Sequence, residues 1–226
     1  MKKIINLFAV LALLGATLPA WAQHKTREVP NAPAFNAIEV TGGDVNVYFS
    51  QGQGYAFSVS GPAKLVKAIK IKVKDNTLFI DYNQPFFTGD DDDVAVYVNA
   101  PELVSIAVAG EADFKTQTPF QGKDLSIKTR QSGEVSMKNV TVNQVKMDAK
   151  GSSSIDIDYI TAQLIRVSSL DRAEVEISGT TGQIEVLKKG MFAEIDTKKL
   201  IATQTVATAA TQQTGKDGSV EFVFND

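Results

Sequence analysis

The sequence predicts an all-β fold, a right-handed parallel β-helix (β-solenoid) with coils of about 20 residues and an irregular, strand-rich N-terminal cap. Three observations predict it. Val135, Ile155, Val175 and Ile195 recur at one constant interval, and Met137, Ile157 and Ile177 follow the first three two places on. Two more columns keep the period. Leu125 with Ile127, Val145 with Met147, and Ile165 with Val167 form one, continued by Ile184 and Val186 one residue short. Phe120, Val140, Ile160 and Leu200 form the other, with Thr180 the one departure, and Ile106 with Phe114 fits as an earlier copy after one inserted residue. Three apolar columns per period make each repeat one circuit with three inward-facing sides; stacked circuits pair in parallel about 4.8 Å apart, and the crossover rule sets the right hand. The third observation is a turn cluster before the second strand of each coil, carrying Gly110, Gly133, Gly151 and Gly190, where a tight corner needs positive φ. In the fourth copy the corner reads Ser169-Leu170-Asp171-Arg172, and aspartate tolerates that conformation better than most residues.

Taken in chain order, Lys2 and Lys3 precede an apolar stretch from Ile4 to Leu18 and an Ala20-Trp21-Ala22 site, the pattern of a cleaved secretory signal over residues 1–22. No cysteine follows the apolar stretch, so a lipoprotein anchor is excluded, and the expected product is periplasmic or at the cell surface. Residues 23–34 read as an N-terminal tether, with His24 in a disordered tail and two prolines after Thr26. Residues 35–226 read as a single β-helix domain: N-terminal strands and cap over 35–100, regular coils over 101–200, and a C-terminal coil with a closing strand over 201–226. Alternation marks strands at Ile38 and Val40, at Val45 to Phe49, at Tyr55 to Val59, at Ile69 to Val73, at Leu78 to Tyr82 and at Val94 to Val98. Pro62 to Ala68 is the one expected helix, because proline is tolerated at a helix start and Leu65, Ala68 and Ile69 share a face. The N-terminal third with this helix is expected to cap one end of the stack, and the strand of Val220, Phe222 and Phe224 the other. The Thr-rich run from Ala202 to Thr214 reads as either a last polar coil or a mobile loop, and the even spacing of Thr203 and Thr205 favours strand.

Composition narrows the chemistry. With 43% hydrophobic and 22% charged residues, the 226-residue chain buries a sizeable core. It has no cysteine and one histidine, which removes disulfides, thiol nucleophiles and zinc ribbons and nearly removes the commonest general base. Removal of residues 1–22 leaves 21 basic against 26 acidic side chains, so no nucleic-acid partner is expected.

The stretches "TLFIDY", "VYVNAPELVSIAVAGEADF" and "LSIKTRQSGEVSMKNV" resemble the head GIN domain family over about residues 35 to 200. Those are secreted proteins, mostly of Bacteroidota, described as auto-transporter adhesin heads. The family's Gly-Ser-Gly corner stands here as Ala109-Gly110-Glu111, Ser132-Gly133-Glu134 and Gly151-Ser152-Ser153 and is lost in the fourth coil. The resemblance implies a β-helix exported from the cell and an adhesin-like role, with an unknown glycan or an envelope or host protein as partner.

Residues alternating with the core columns face solvent, so the second strand of successive coils shows Glu134, then Asp156, then Glu174 and Glu176, then Glu194 and Asp196. These six carboxylates form the candidate binding face: a dock for a basic partner, a calcium site needing no histidine, or a solvated face that discourages lateral strand pairing. Arg166 and Arg172 stand near it in sequence. Phe86 and Phe87, followed by Asp90 to Asp93, form a second candidate, a recognition loop if exposed, the other reading being a cover folded back over the core with the aspartates solvated. No catalytic residue, metal or cofactor is expected. Besides a non-enzymatic binding module, two alternatives stand: a purely structural envelope module, and a polysaccharide-acting β-helix enzyme, which the short inter-coil loops disfavour.

Overall fold

The computed structural model describes residues 24–82, 94–207, 210–214 and 220–224. The expected signal segment, residues 1–22, and the candidate loop with Phe86, Phe87 and Asp90 to Asp93 lie outside the described residues.

The N-terminal region consists of β1 (His24–Val29), β2 (Ala37–Gly42), β3 (Val45–Gln51), β4 (Ala56–Pro62), α1 (Ala63–Ala68), β5 (Ile69–Lys74), β6 (Thr77–Tyr82), β7 (Val94–Ala100), β8 (Ser105–Gly110) and β9 (Asp113–Thr116). The coils continue through β10 (Phe120–Gln121), β11 (Asp124–Gln131), β12 (Glu134–Gly151), β13 (Ser154–Asp171), β14 (Glu174–Lys189) and β15 (Glu194–Ala207). All fifteen strands join in one sheet wound into a solenoid, and β16 (Ala210–Thr214) and β17 (Val220–Phe224) form a separate antiparallel pair. The expected closing strand therefore pairs with its neighbour in sequence instead of adding to the coil.

The stack has three sides. The first runs β5, β6, β2, β8, β11 and then the later parts of β12, β13, β14 and β15. The second runs β1, β4, β7, β3, β9 and then the early parts of β12 to β15. The third is short and begins where Phe120 of β10 meets Val140 of β12. The apolar columns stack as the period requires. Val135, Ile155, Val175 and Ile195 are lateral neighbours, as are Ile127, Met147, Val167 and Val186. The first three residues of the Val135 column are at most 1% exposed, and a side chain buried to that degree contributes about 1.5–3 kcal/mol.

One column differs from the sequence expectation. The structure sets Gly179, not Thr180, between Ile160 and Leu200, while Thr180 pairs with Thr161. Two residues separate Ile157 from Ile160, but Ser178 alone separates Ile177 from Gly179, so this coil is one residue shorter at the corner. The Tyr159 N–H donates to the Ser178 hydroxyl at 3.1 Å and ties the shortened corner to its neighbour.

The glycine expectation also needs correction. A left-handed residue recurs in four successive corners, Gly110 (φ 93°), Gln131 (φ 61°), Gly151 (φ 93°) and Asp171 (φ 62°), lateral neighbours throughout, and is absent from the corner before β15. Asp171 fills the position as its residue type allows. Gly133 and Gly190 lie outside the left-handed region. What Gly133 supplies is clearance, because a Cβ there would stand 2.9 Å from the Val108 carbonyl oxygen, and a Cβ on Gly190 would stand 3.0 Å from the Asp171 nitrogen.

The N-terminal end is closed by a change of strand direction. β4 and β1 add antiparallel beyond β7 on the second side, and β5 adds antiparallel to β6 on the first. α1 links β4 to β5 and buries Leu65 and Val66 in the core, so the helix joins the two sides across that end. His24, expected in a disordered tail, pairs its backbone with Pro62 at the start of β1. The edge of β4 offers unpaired backbone groups, and the segment expected as a tether satisfies them over His24–Val29. The Thr-rich run is strand up to Ala207 and again over Ala210–Thr214. Among the described residues no helix is long and apolar enough to cross a membrane.

Candidate functional site

Strand alternation turns every second residue of the second side outward, and lateral register lines these residues into rows running up the stack. One row reads Ala95, Asn46, Asp113, Glu134, Ser154, Glu174, Glu194. The next reads Tyr97, Tyr48, Lys115, Ser136, Asp156, Glu176, Asp196. The structure thus brings all six predicted carboxylates onto one flank, Glu174 and Glu194 exposed and Glu134, Asp156, Glu176 and Asp196 half-buried.

The same register exposes what counting carboxylates left out. Lysines are set among them: Lys115 Nζ lies 2.8 Å from Asp113, Lys198 Nζ 3.0 Å from Asp196, Lys199 Nζ 3.4 Å from Glu176 and Lys138 Nζ 3.8 Å from Asp158. Burial pushes the Asp156 carboxyl above the usual carboxylate range, and the charges of Asp158 and Glu176 push it the same way against the pull of Lys138. Asp196 moves down instead, because the backbone N–H and the ammonium of Lys198 both donate to its carboxylate. Lys115 is raised by its hydrogen bond to Asp113. Among the described residues no group of three or more His, Cys, Asp or Glu is placed to hold a metal ion.

At the N-terminal end the flank becomes aromatic. Tyr48 and Tyr97 stack with ring centroids 5.3 Å apart and planes 22° from parallel, and Tyr97 is 42% exposed. Sequence reasoning missed this pair. Its signal was available, since both tyrosines hold the outward position between two inward valines or a valine and a phenylalanine, in "VNVYF" and "VAVYV".

Arg166 and Arg172, near the acidic residues in sequence, do not join them. Arg166 lies on the first side, with Nε 2.7 Å from Glu185 and a terminal nitrogen 3.2 Å from Gln144, and Arg172 sits in the corner with its N–H on the Gly151 carbonyl. A groove of about 920 Å³ opens on the first side, where Gln51, Gln121, Gln144, Lys146 and Arg166 are among its lining residues and none of the six carboxylates reaches it.

A long side that presents registered rows of aromatic, acidic and basic groups on stacked parallel strands defines the chain as a β-solenoid. Over residues 34–215 the chain matches the family described as "Putative auto-transporter adhesin, head GIN domain", and it belongs to that family. Solved structures with the same fold include a "putative adhesin" of Parabacteroides merdae ATCC 43184, at TM-score 0.71 and 17% identity, covering 82% of this chain and 77% of that one. A "putative lipid binding protein" of Parabacteroides distasonis ATCC 8503 follows at TM-score 0.68 and 20% identity, covering 81% and 77%. A "putative adhesin" of Bacteroides fragilis NCTC 9343 is similar at TM-score 0.59 and 17% identity, covering 82% and 96%. No match was found among the curated proteins.

Proposed function

We propose that this chain is an exported, non-enzymatic, adhesin-like binding module of the cell envelope that recognises a glycan or an envelope or host protein through the second side of its solenoid. The observation that carries the reading is the continuous outward row from the Tyr97–Tyr48 stack through Lys115 to Asp156, Glu176 and Asp196. Stacked tyrosines offer a flat apolar face with polar tips, and the rows beside them offer acceptors and donors at the spacing of adjacent strands. Glu134, Glu174 and Glu194 complete the proposed face. The N-terminal signal pattern of Lys2, Lys3 and Ala20-Trp21-Ala22 supports export to the periplasm or cell surface. The non-enzymatic part of the reading rests on a flat sheet that leaves the carboxylates without cleft walls. The interleaved lysines favour the second reading, a structural envelope module, because they neutralise much of the flank without any ligand. Cell fractionation followed by a glycan and matrix-protein array separates the two. Capture of an array ligand, weakened by added salt, is expected; silence across the array, with the protein in the envelope fraction, overturns the binding reading in favour of the structural one.

A further inference from the structure

Three turns that precede the second side close with the same hydrogen bond, although a left-handed residue stands only in the first two, at Gln131 and Asp171. Gly133 N–H closes onto the Arg130 carbonyl at 3.1 Å, Ala173 onto Leu170 at 3.1 Å and Ala193 onto Gly190 at 3.2 Å. The two residues enclosed are Gln131-Ser132 in the first, Asp171-Arg172 in the second and Met191-Phe192 in the last. Polar residues thus satisfy this turn elsewhere, and the fold has no need of large apolar ones. Yet Met191 is 80% exposed and Phe192 75%, side by side at a protruding corner. Two exposed lysines, Lys188 and Lys189, lead into the tip, and Arg172 and Lys150 lie exposed on the same edge one and two coils back; Asp171 and Glu194 are the acidic neighbours.

We infer that this corner is a membrane-contact tip, which inserts Met191 and Phe192 at the headgroup–acyl boundary of an anionic phospholipid bilayer while the surrounding cations meet lipid phosphates. Apolar insertion and attraction of basic residues to anionic lipid add in such contacts. The charge pattern selects a lipid surface over a second copy of the chain, because pairing two such tips would bring their lysines together. The tip adjoins the flank of the proposed function at Glu194, and vesicle binding against array capture tells the two apart.

The test is co-sedimentation of the purified protein with vesicles of phosphatidylcholine and phosphatidylglycerol at three to one, and with phosphatidylcholine vesicles alone. Partitioning onto the mixed vesicles should be about tenfold stronger than onto the neutral ones. The double variant Met191→Ser, Phe192→Ser should lose about tenfold on mixed vesicles, and Lys188→Gln, Lys189→Gln should lose the preference for anionic lipid. Both should melt as the parent does, and Glu174→Gln, Glu176→Gln should bind vesicles undiminished. Absence of binding to mixed vesicles, or equal binding by the serine variant, overturns the inference. So does a dimer in sedimentation equilibrium that the serine variant dissolves, which would make a second copy the occupant.

Discussion

In the N-terminal half Ile38 lies between Leu78 and Ile106, both remote from it in the chain, whereas in the C-terminal half Ile155 lies between Val135 and Val175, a single repeat away on either hand. The repeated coils obtain every lateral neighbour from the adjacent repeat, so each added circuit meets a ready template. The N-terminal half has to bring distant strands together and to end the stack, and that carries a larger loop-closure cost. It offsets that cost with large side chains. Phe35, Phe49, Phe114 and Tyr82 are all at most 1% exposed, and Phe49 packs its ring 6.0 Å from Phe114 and 6.3 Å from Phe120, the first residue of β10. Repetition makes a surface that extends row by row; irregularity makes the plug that lets it exist in water.

Breaking the repeated half at its core should have the largest effect. Ile155→Asp or Val175→Asp buries an unpaired charge inside the stack, costs several kcal/mol and should abolish cooperative folding, while Asp156→Lys or Glu176→Lys on the outward row should fold. Thermal melts that tolerated both classes equally would refute the repeat frame. Next comes the plug. Leu65, 2% exposed in α1, should cost about 2–5 kcal/mol when cut to alanine, and unfolding should remain a single transition because the coils depend on the closed end. Two separate transitions would show that the halves fold independently.

A corner change should cost less. Gly151→Ala forces a left-handed φ on a residue with a Cβ, placed 2.9 Å from the Gln131 carbonyl oxygen, and should cost about 1–3 kcal/mol in a denaturant titration. The smallest effect is a gain. The folded state raises the Asp156 pKa, so between its unfolded and folded values the native protein binds more protons than the unfolded chain, and stability falls as pH rises through that window. Asp156→Asn should therefore add about 0.5 kcal/mol at neutral pH, the scale of a like-charge cross-strand contact, and the gain should vanish once acid protonates the carboxyl in both states. Melts of both proteins from neutral to acid pH check the sign.

The repeated half was legible because a fixed period states both the inward face and the partner. In the N-terminal half, alternation placed Ile38, Val47 and Val96 inside, but alternation names a face and never the strand alongside, so the antiparallel joins of β4 and β5 could not be read. The one-residue loss at Ser178 was hidden among small polar residues, where Gly179 and Thr180 are interchangeable by pattern. Gln131 carries no mark of its left-handed φ, which only its lateral place between Gly110 and Gly151 reveals. On the flank the carboxylates were readable from spacing alone. Tyr48 and Tyr97, distant in the chain, met only through the parallel pairing of β3 with β7.

The central claim, that the second side is the recognition surface, is tested most directly by titrating the strongest array ligand against two variants. Tyr48→Ser, Tyr97→Ser should weaken binding about tenfold or more with the melt of a folded protein, while Lys146→Ala on the first side should leave the affinity unchanged. Unchanged affinity in the tyrosine variant, or a loss on the first side instead, would contradict it.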